Sequence, residues 1–335
     1  MLVALLENPK PVEQNPLALR ELPQPGLQDR EILIRVSTCG ICHTDLHTVE
    51  GELQLPRLPL VPGHQIVGRV AACGPAAKRF HEGDRVGIPW LRESCGHCRF
   101  CVTQQENLCE SAQFTGLHAD GGFAEFTKIN DAFAYALPRS FSDVEAAPLL
   151  CAGVIGYRAL RLCGIRKGER LGLFGFGASA HLAIQIARYW NCDVYVFTRS
   201  KKHRDLARSL GASWTGGSQD SPPHKIQSAI IFAPAGPLVL DALRILDKGG
   251  TVALAGIYMT PLPEIDYASL LYHERSIRSV ANATRQDAIE LLRLADEVPL
   301  KTEVEEFILP EINTALTKLK HSEIRGAGVL RINAA

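Results

Sequence analysis

The sequence predicts an α/β protein, with a β-rich first part followed by a doubly wound parallel sheet. Three observations carry this expectation. From about Ser142 onward, short apolar runs alternate with helical stretches. A glycine-rich turn stands between the first of those runs and the helix after it. Before that point the chain reads as short strands broken by proline and glycine.

In chain order, Glu31–Val36 and Ile66–Ala71 read as strands, with Pro23, Pro25, Gly26, Pro59, Pro62 and Gly63 as punctuation. Further on, Leu171–Phe174, Val194–Thr198, Ala229–Ala233 and Thr251–Ala255 read as successive strands. Ala180–Tyr189 and Lys202–Leu210 are the helices between them. Short strands of this apolar kind belong in a parallel sheet covered on both faces. The C-terminal part returns to a mixed pattern, with a helix over Asp287–Leu294 and a strand at Val329–Ile332. A chain of 335 residues exceeds one small core. Two domains are expected: 1–140 with 288–335, and 141–287.

Composition narrows the function classes. The chain is 46% hydrophobic and 21% charged, which is ordinary for a globular protein. Lys+Arg and Asp+Glu both total 36, so no net field draws in nucleic acid or an acidic membrane surface. No run approaches the ~18 apolar residues that span a bilayer. Met1–Leu6 is apolar without a basic leader, so a cytoplasmic location is expected. Most of the ten cysteines fall into close spacings that suit metal in a reducing compartment.

Cys95, Cys98, Cys101 and Cys109 form C-x2-C-x2-C-x7-C in the polar segment 93–110. Four thiolates this close wrap one tetrahedral Zn²⁺, and a filled shell leaves no open position for chemistry. The alternatives are an iron–sulfur site, a redox pair, or simple burial. The Cys-Pro that ends a ferredoxin run is missing here. His97, inside the loop, is expected to be a solvated bystander.

Gly175-Phe-Gly177-Ala-Ser-Ala180 is a G-x-G-x-x-A between a strand and a helix. Gly175 permits the tight turn, Gly177 lets backbone approach a pyrophosphate, and Ala180 lets helix and strand pack. Alone the motif is weak, since a glycine-rich turn has many uses. The next strand, however, ends at Thr198, 23 positions beyond Gly175. A carboxylate there would hold the ribose of NAD. The chain instead reads Thr198-Arg199-Ser200-Lys201-Lys202, which suits a 2′-phosphate, so NADP(H) is expected over NAD(H).

Gly40-Ile-Cys42-His43-Thr44-Asp45-Leu-His47, Pro62-Gly63-His64 and Cys151-Ala-Gly153 surround these two motifs in the chain. Gly83-Asp84-Arg85-Val86-Gly87 and Gly121-Gly122-Phe123-Ala124-Glu125 complete the set. In this order they resemble the zinc-dependent alcohol dehydrogenases of the medium-chain dehydrogenase/reductase superfamily, over nearly the whole chain. The resemblance implies a GroES-like catalytic domain built from both chain ends and an inserted Rossmann domain. It implies Cys42, His64 and Cys151 as catalytic zinc ligands, and so two Zn²⁺ per chain. It also implies Asp45 as a carboxylate orienting a ligand, Thr44 and His47 as a proton relay, and His43 against the cofactor pyrophosphate. Zinc lowers the pKa of a bound oxygen by many units, which is what hydride loss from an alcohol requires.

Three positions depart from the family pattern. Gln65 stands where Glu is common, Ile155 where Thr is common, and Ala327 where Arg follows glycine. Trp90 sits where the family lines its substrate channel, which suits small or medium primary alcohols and their aldehydes. A polyol dehydrogenase or other carbonyl reductase is the rival reading within the fold. A catalytically retired zinc protein is the rival outside it, and the complete ligand set with its relay argues against that. A homotetramer or homodimer is expected by resemblance alone.

Overall fold

The eleven residues from Glu31 to Ile41 form the longest strand of the chain, ten of them at least partly buried. The computed structural model describes residues 1–298 and 300–333. Their contacts divide them into two units. The first holds Met1–Cys151, Thr284–Glu297 and the residues from Lys301 onward. The second holds Ala152–Ala283 with Val298 and Leu300. The first crossing thus falls at Cys151/Ala152, later than the expected 140/141. The reason is local: the helix Asp143–Ala146 follows Arg85, whose guanidinium donates to Asp143 at 2.6 Å and to the Pro138 and Phe141 carbonyls.

In the first unit Glu31–Ile41 is the spine of a seven-stranded sheet. It pairs antiparallel with Gln65–Cys73, Ala327–Arg331 and Phe126–Asn130. Arg85–Ile88 and Tyr135–Ala136 extend one side, and Val304–Ile308 joins Ala327–Arg331 in parallel on the other. Ile32, Ile34, Val36, Ile66, Val86 and Ile88 are fully buried in its core.

The second unit is a six-stranded sheet in which every pair is parallel. Its spatial order is Trp214–Gly216, Asp193–Phe197, Arg170–Phe174, Ile226–Ile231, Leu246–Leu254, Ser276–Ser279. Counted along the chain this is 3-2-1-4-5-6, the dinucleotide-binding order. Its strand order reverses between Arg170–Phe174 and Ile226–Ile231, and the glycine-rich turn leaves the first of these. Phe174 and Phe197 are register partners and stack at 4.3 Å with both rings buried. All four expected strands and both expected helices are present. Trp214–Gly216 and Ser276–Ser279 are additional.

Candidate active site

The antiparallel register builds the site. Gly40 pairs with Gln65, so the residues just beyond each strand end, Cys42 and His64, are neighbours in space. Cys42 Sγ lies 3.3 Å from His64 Nε2 and 3.9 Å from Cys151 Sγ, and His64 Nε2 lies 3.4 Å from Cys151 Sγ. A tetrahedral zinc shell spaces sulfur and nitrogen donors by roughly 3.5–3.8 Å. The three donors stand close to that spacing, so a metal fits among them with only a small adjustment of side chains.

His43–Glu50 is a helix whose N-cap is Cys42, and the Cys42 thiol accepts from Thr44 N–H. A helix N-terminus favours the thiolate over the thiol, but the adjacent Cys151 and burial outweigh it and push the Cys42 thiol well above its ordinary range. Asp45, at the third helical position, is 2% exposed. Its carboxylate accepts the Cys42 N–H at 2.9 Å, the Gly63 N–H at 3.2 Å and the His64 Nδ1–H at 3.0 Å. One buried carboxylate therefore ties both ligand segments together. Burial opposes charge on His64, yet Asp45 and Cys42 raise its pKa to about 10. The cluster's electrostatics favour a cation at its centre.

Thr44 and His47 stand three apart on this helix and so share a face. His47 Nδ1 pairs with the carboxylate of Glu52, which is 53% exposed. Glu52 is a site residue absent from the sequence reading. Its signal was Gly51, in the left-handed conformation at the helix end, which turns the chain back so that Glu52 N–H donates to the His47 carbonyl. His43 is adjacent to His47, with ring centroids 6.4 Å apart.

Trp90 meets the His64 ring edge-on at 4.7 Å and stacks on Phe114 at 5.1 Å. Phe114 is the second residue that sequence reasoning missed. A short ladder between Leu91–Glu93 and Gln113–Phe114 brings it beside Trp90 across the whole four-cysteine segment. Gln65 is buried with its Nε2 lacking a hydrogen-bond partner.

Within that segment Cys95, Cys98, Cys101 and Cys109 bring their sulfurs within 4.8 Å of one another. Backbone N–H groups of Cys95 and Cys98 donate to Cys109 and Cys95 sulfurs. Peptide N–H groups of His97 and Cys98 hold Cys95 below the ordinary thiol range. Such bonds stabilise thiolates, as a closed metal shell requires. His97 is exposed and lies outside the four-sulfur group, its ring against the Cys95 carbonyl. Buried Glu106 anchors the lobe to the first unit by accepting Arg285 backbone and side-chain N–H groups at 2.9 and 3.2 Å.

Residues 28–139 match the family described as "Alcohol dehydrogenase GroES-like domain", and residues 180–297 the one described as "Zinc-binding dehydrogenase". A protein described as "Probable alcohol dehydrogenase AdhA", from Mycobacterium tuberculosis, is 44% identical, covering 98% of this chain and 96% of its own. The chain is a zinc-type alcohol dehydrogenase of the medium-chain dehydrogenase/reductase superfamily. An alcohol dehydrogenase of Geobacillus stearothermophilus is 34% identical, covering 96% of this chain and 98% of its own. Among solved structures, a cinnamyl alcohol dehydrogenase of Sorghum bicolor superposes with a TM-score of 0.90 at 28% identity, covering 98% and 97% of the two chains. No helix among the described residues is long and apolar enough to cross a membrane.

The dinucleotide loop of this alcohol dehydrogenase lies in the second unit. Gly175 has φ +85°, a conformation that favours glycine, and a Cβ there would sit 3.1 Å from Ala233. A Cβ on Gly177 would meet nothing within 4 Å, so packing does not demand this glycine. The open space fits a phosphate approaching the backbone. The helix Ala178–Tyr189 starts at Gly177 with no side-chain cap, leaving its first N–H groups for a ligand. Ala180 is fully buried. The next strand ends at Phe197, one residue before the expected Thr198. Thr198 N–H donates to the Gly216 carbonyl, and Arg199 is exposed. Lys201 is paired with Asp205 at 2.7 Å, which reduces its availability to a ligand.

Proposed function

We propose that this enzyme interconverts small or medium primary alcohols and their aldehydes, with NADP(H) preferred over NAD(H). The observation that carries the reading is the juxtaposition of Cys42, His64 and Cys151 with a helix that presents Thr44 and His47. Cys42, His64 and Cys151 would hold a catalytic zinc, and Cys95, Cys98, Cys101 and Cys109 a structural one, giving two per chain. When bound, the catalytic zinc supplies a Lewis acid for the substrate oxygen, and the nicotinamide supplies the hydride acceptor or donor.

The chain's own residues handle the proton. Thr44 would offer a hydroxyl on the first turn of the helix that Cys42 caps, and His47, three residues on and on the same face, an imidazole to take the proton onward. Glu52, paired with His47 and open to water, is the outlet that sequence reasoning lacked. Asp45 holds His64 with Nδ1–H donated, so that Nε2 keeps its lone pair for metal. Trp90, braced by Phe114, limits substrate bulk beside His64.

On the cofactor side, Gly175, Gly177 and Ala180 would shape the pyrophosphate turn. Thr198 in place of a carboxylate, and the exposed Arg199, support a 2′-phosphate. The first unit would be the catalytic domain and the second the dinucleotide domain. A homo-oligomer, tetramer or dimer, and a cytoplasmic location complete the reading. Turnover of a panel of alcohols and aldehydes with each cofactor tests it, and activity confined to polyols would favour the rival substrate class.

A further inference from the structure

His181 is the most costly side chain that the chemistry above leaves unused. It is 1% exposed, and neither of its ring nitrogens has a hydrogen-bond partner. A buried polar group without a partner destabilises the folded state, so its presence calls for a use outside the ligand-free fold. Its place in the fold supplies one. His181 lies one helical turn after Gly177, and its backbone N–H donates to the Gly177 carbonyl at 3.1 Å. Helical side chains lean toward the N-terminus, which sets this imidazole under the Gly177–Ala178 turn. The carbonyls of Gly177 and Ala178 lie close enough to favour its protonated form, although burial outweighs them and keeps the ring neutral.

We propose that His181 is a positioning residue for the cofactor pyrophosphate, acting through the peptide between Gly177 and Ala178. That peptide has two ends. Its N–H, on Ala178, belongs to the uncapped first turn that faces the open space in front of Gly177. Its C=O, on Gly177, faces the imidazole. An imidazole N–H donated to the carbonyl polarises the amide and strengthens the N–H as a donor to phosphate, because linked hydrogen bonds reinforce one another. Closing the loop on an anion completes both bonds together, so the ring's missing partner is acquired with the ligand. A neutral imidazole donates without placing a second fixed charge in the sheet's apolar layer. This inference rests on the reading that the loop takes a dinucleotide, and deepens it.

The test uses the full chain and two variants. His181→Leu removes the donor at similar bulk, and His181→Asn restores a donor and acceptor near the ring's position. The probes are ADP, which carries a pyrophosphate, and adenosine 2′-monophosphate, which does not, with binding followed by calorimetry. His181→Leu is expected to hold or raise the melting temperature of the ligand-free protein. It should weaken ADP about tenfold and leave adenosine 2′-monophosphate within twofold. KM for the dinucleotide rises by the same factor as the ADP Kd while kcat stays within threefold. His181→Asn recovers most of the ADP affinity. Unchanged ADP binding in the Leu variant overturns the proposal, as does equal weakening of both nucleotides or an Asn variant as weak as the Leu one. Wild-type protein that binds adenosine 2′-monophosphate but not ADP overturns it too. Wild-type protein that binds neither nucleotide removes the dinucleotide reading itself, and the inference with it.

Discussion

The carboxylate of Asp45 lies 3.0 Å from Nδ1 of His64, with both side chains almost wholly buried. This contact decides which imidazole nitrogen would face a metal held there, and the same carboxylate collects N–H groups from the segments that carry Cys42 and His64. Asp45→Asn keeps the shape and removes the charge. Zinc affinity of the Cys42 site is expected to fall ten- to a hundredfold, the usual effect of losing such a partner. Competition with a chromophoric chelator measures it, with circular dichroism as the check on folding. Retention equal to wild type would show that the helix N-terminus alone prepares the site.

Two donor clusters with different surroundings predict a division of labour. Purified protein should hold two zinc ions per chain by elemental analysis. Cys95→Ser should lower the melting temperature, because the lobe loses the ion around which its loop closes. Cys42→Ser should abolish turnover and leave the melting temperature within a few degrees. Similar losses of stability from both variants would contradict separate roles.

The pairing of His47 with exposed Glu52 predicts a buffer effect. His47→Gln should slow alcohol oxidation by about two orders of magnitude, the lower end of the typical worth of a positioned base. Added imidazole should restore part of the rate by taking the proton directly. Glu52→Gln should have a smaller effect of the same kind. A defect in either variant that imidazole leaves untouched would assign these side chains to structure instead.

His181 also makes a prediction about acid stability. Burial pushes its pKa down to about 4 from 6.5, against smaller opposing effects of the Gly177 and Ala178 carbonyls. Below pH 6.5 the unfolded chain binds a proton that the folded chain refuses until about pH 4. Stability is therefore complete above 6.5 and falls as pH drops through that window. The loss is on the order of 2–3 kcal/mol by pH 4.5. Urea titrations of wild type and His181→Leu at pH 7.5 and 4.5 isolate the term. The variant's advantage should grow at the lower pH, and a constant difference would mean the native ring already carries its proton.

Much of this site is local in sequence, which is why it is legible there. Cys42, Thr44, Asp45 and His47 lie within one helix and its cap, and the four cysteines of the lobe within fifteen positions. The two parallel strands missing from the sequence reading have physical excuses. Trp214–Gly216 is three residues long, and Ser276–Ser279 is a polar edge strand of four, so neither gives a period to read. The contact of Phe114 with Trp90 depends on a ladder that closes around the whole four-cysteine lobe, and no spacing announces it. The charge of Lys201 is legible in the sequence, but its engagement with Asp205 on the next helical turn belongs to the fold.

That engagement sharpens the cofactor prediction by leaving Arg199 and Lys202 as the exposed cations of the run, of which only Arg199 carries a planar fork of donors. A carboxylate at the end of the second parallel strand would accept hydrogen bonds from the ribose hydroxyls and repel a 2′-phosphate. Thr198 does neither, and its backbone is fixed by the bond to Gly216. Arg199 is exposed and offers a fork of donors that matches phosphate oxygens. Arg199→Ala should raise KM for NADP about tenfold, which corresponds to one charge-assisted contact of about 1.5 kcal/mol. KM for NAD should change little. Thr198→Asp should move the preference toward NAD by restoring the ribose partner and adding repulsion. Lys201→Ala should cost less than Arg199→Ala, because its ammonium is already engaged. Steady-state kinetics with both cofactors decide the matter. A wild-type kcat/KM higher for NAD than for NADP would mean that the Thr198 hydroxyl serves the ribose and that Arg199 turns away to solvent.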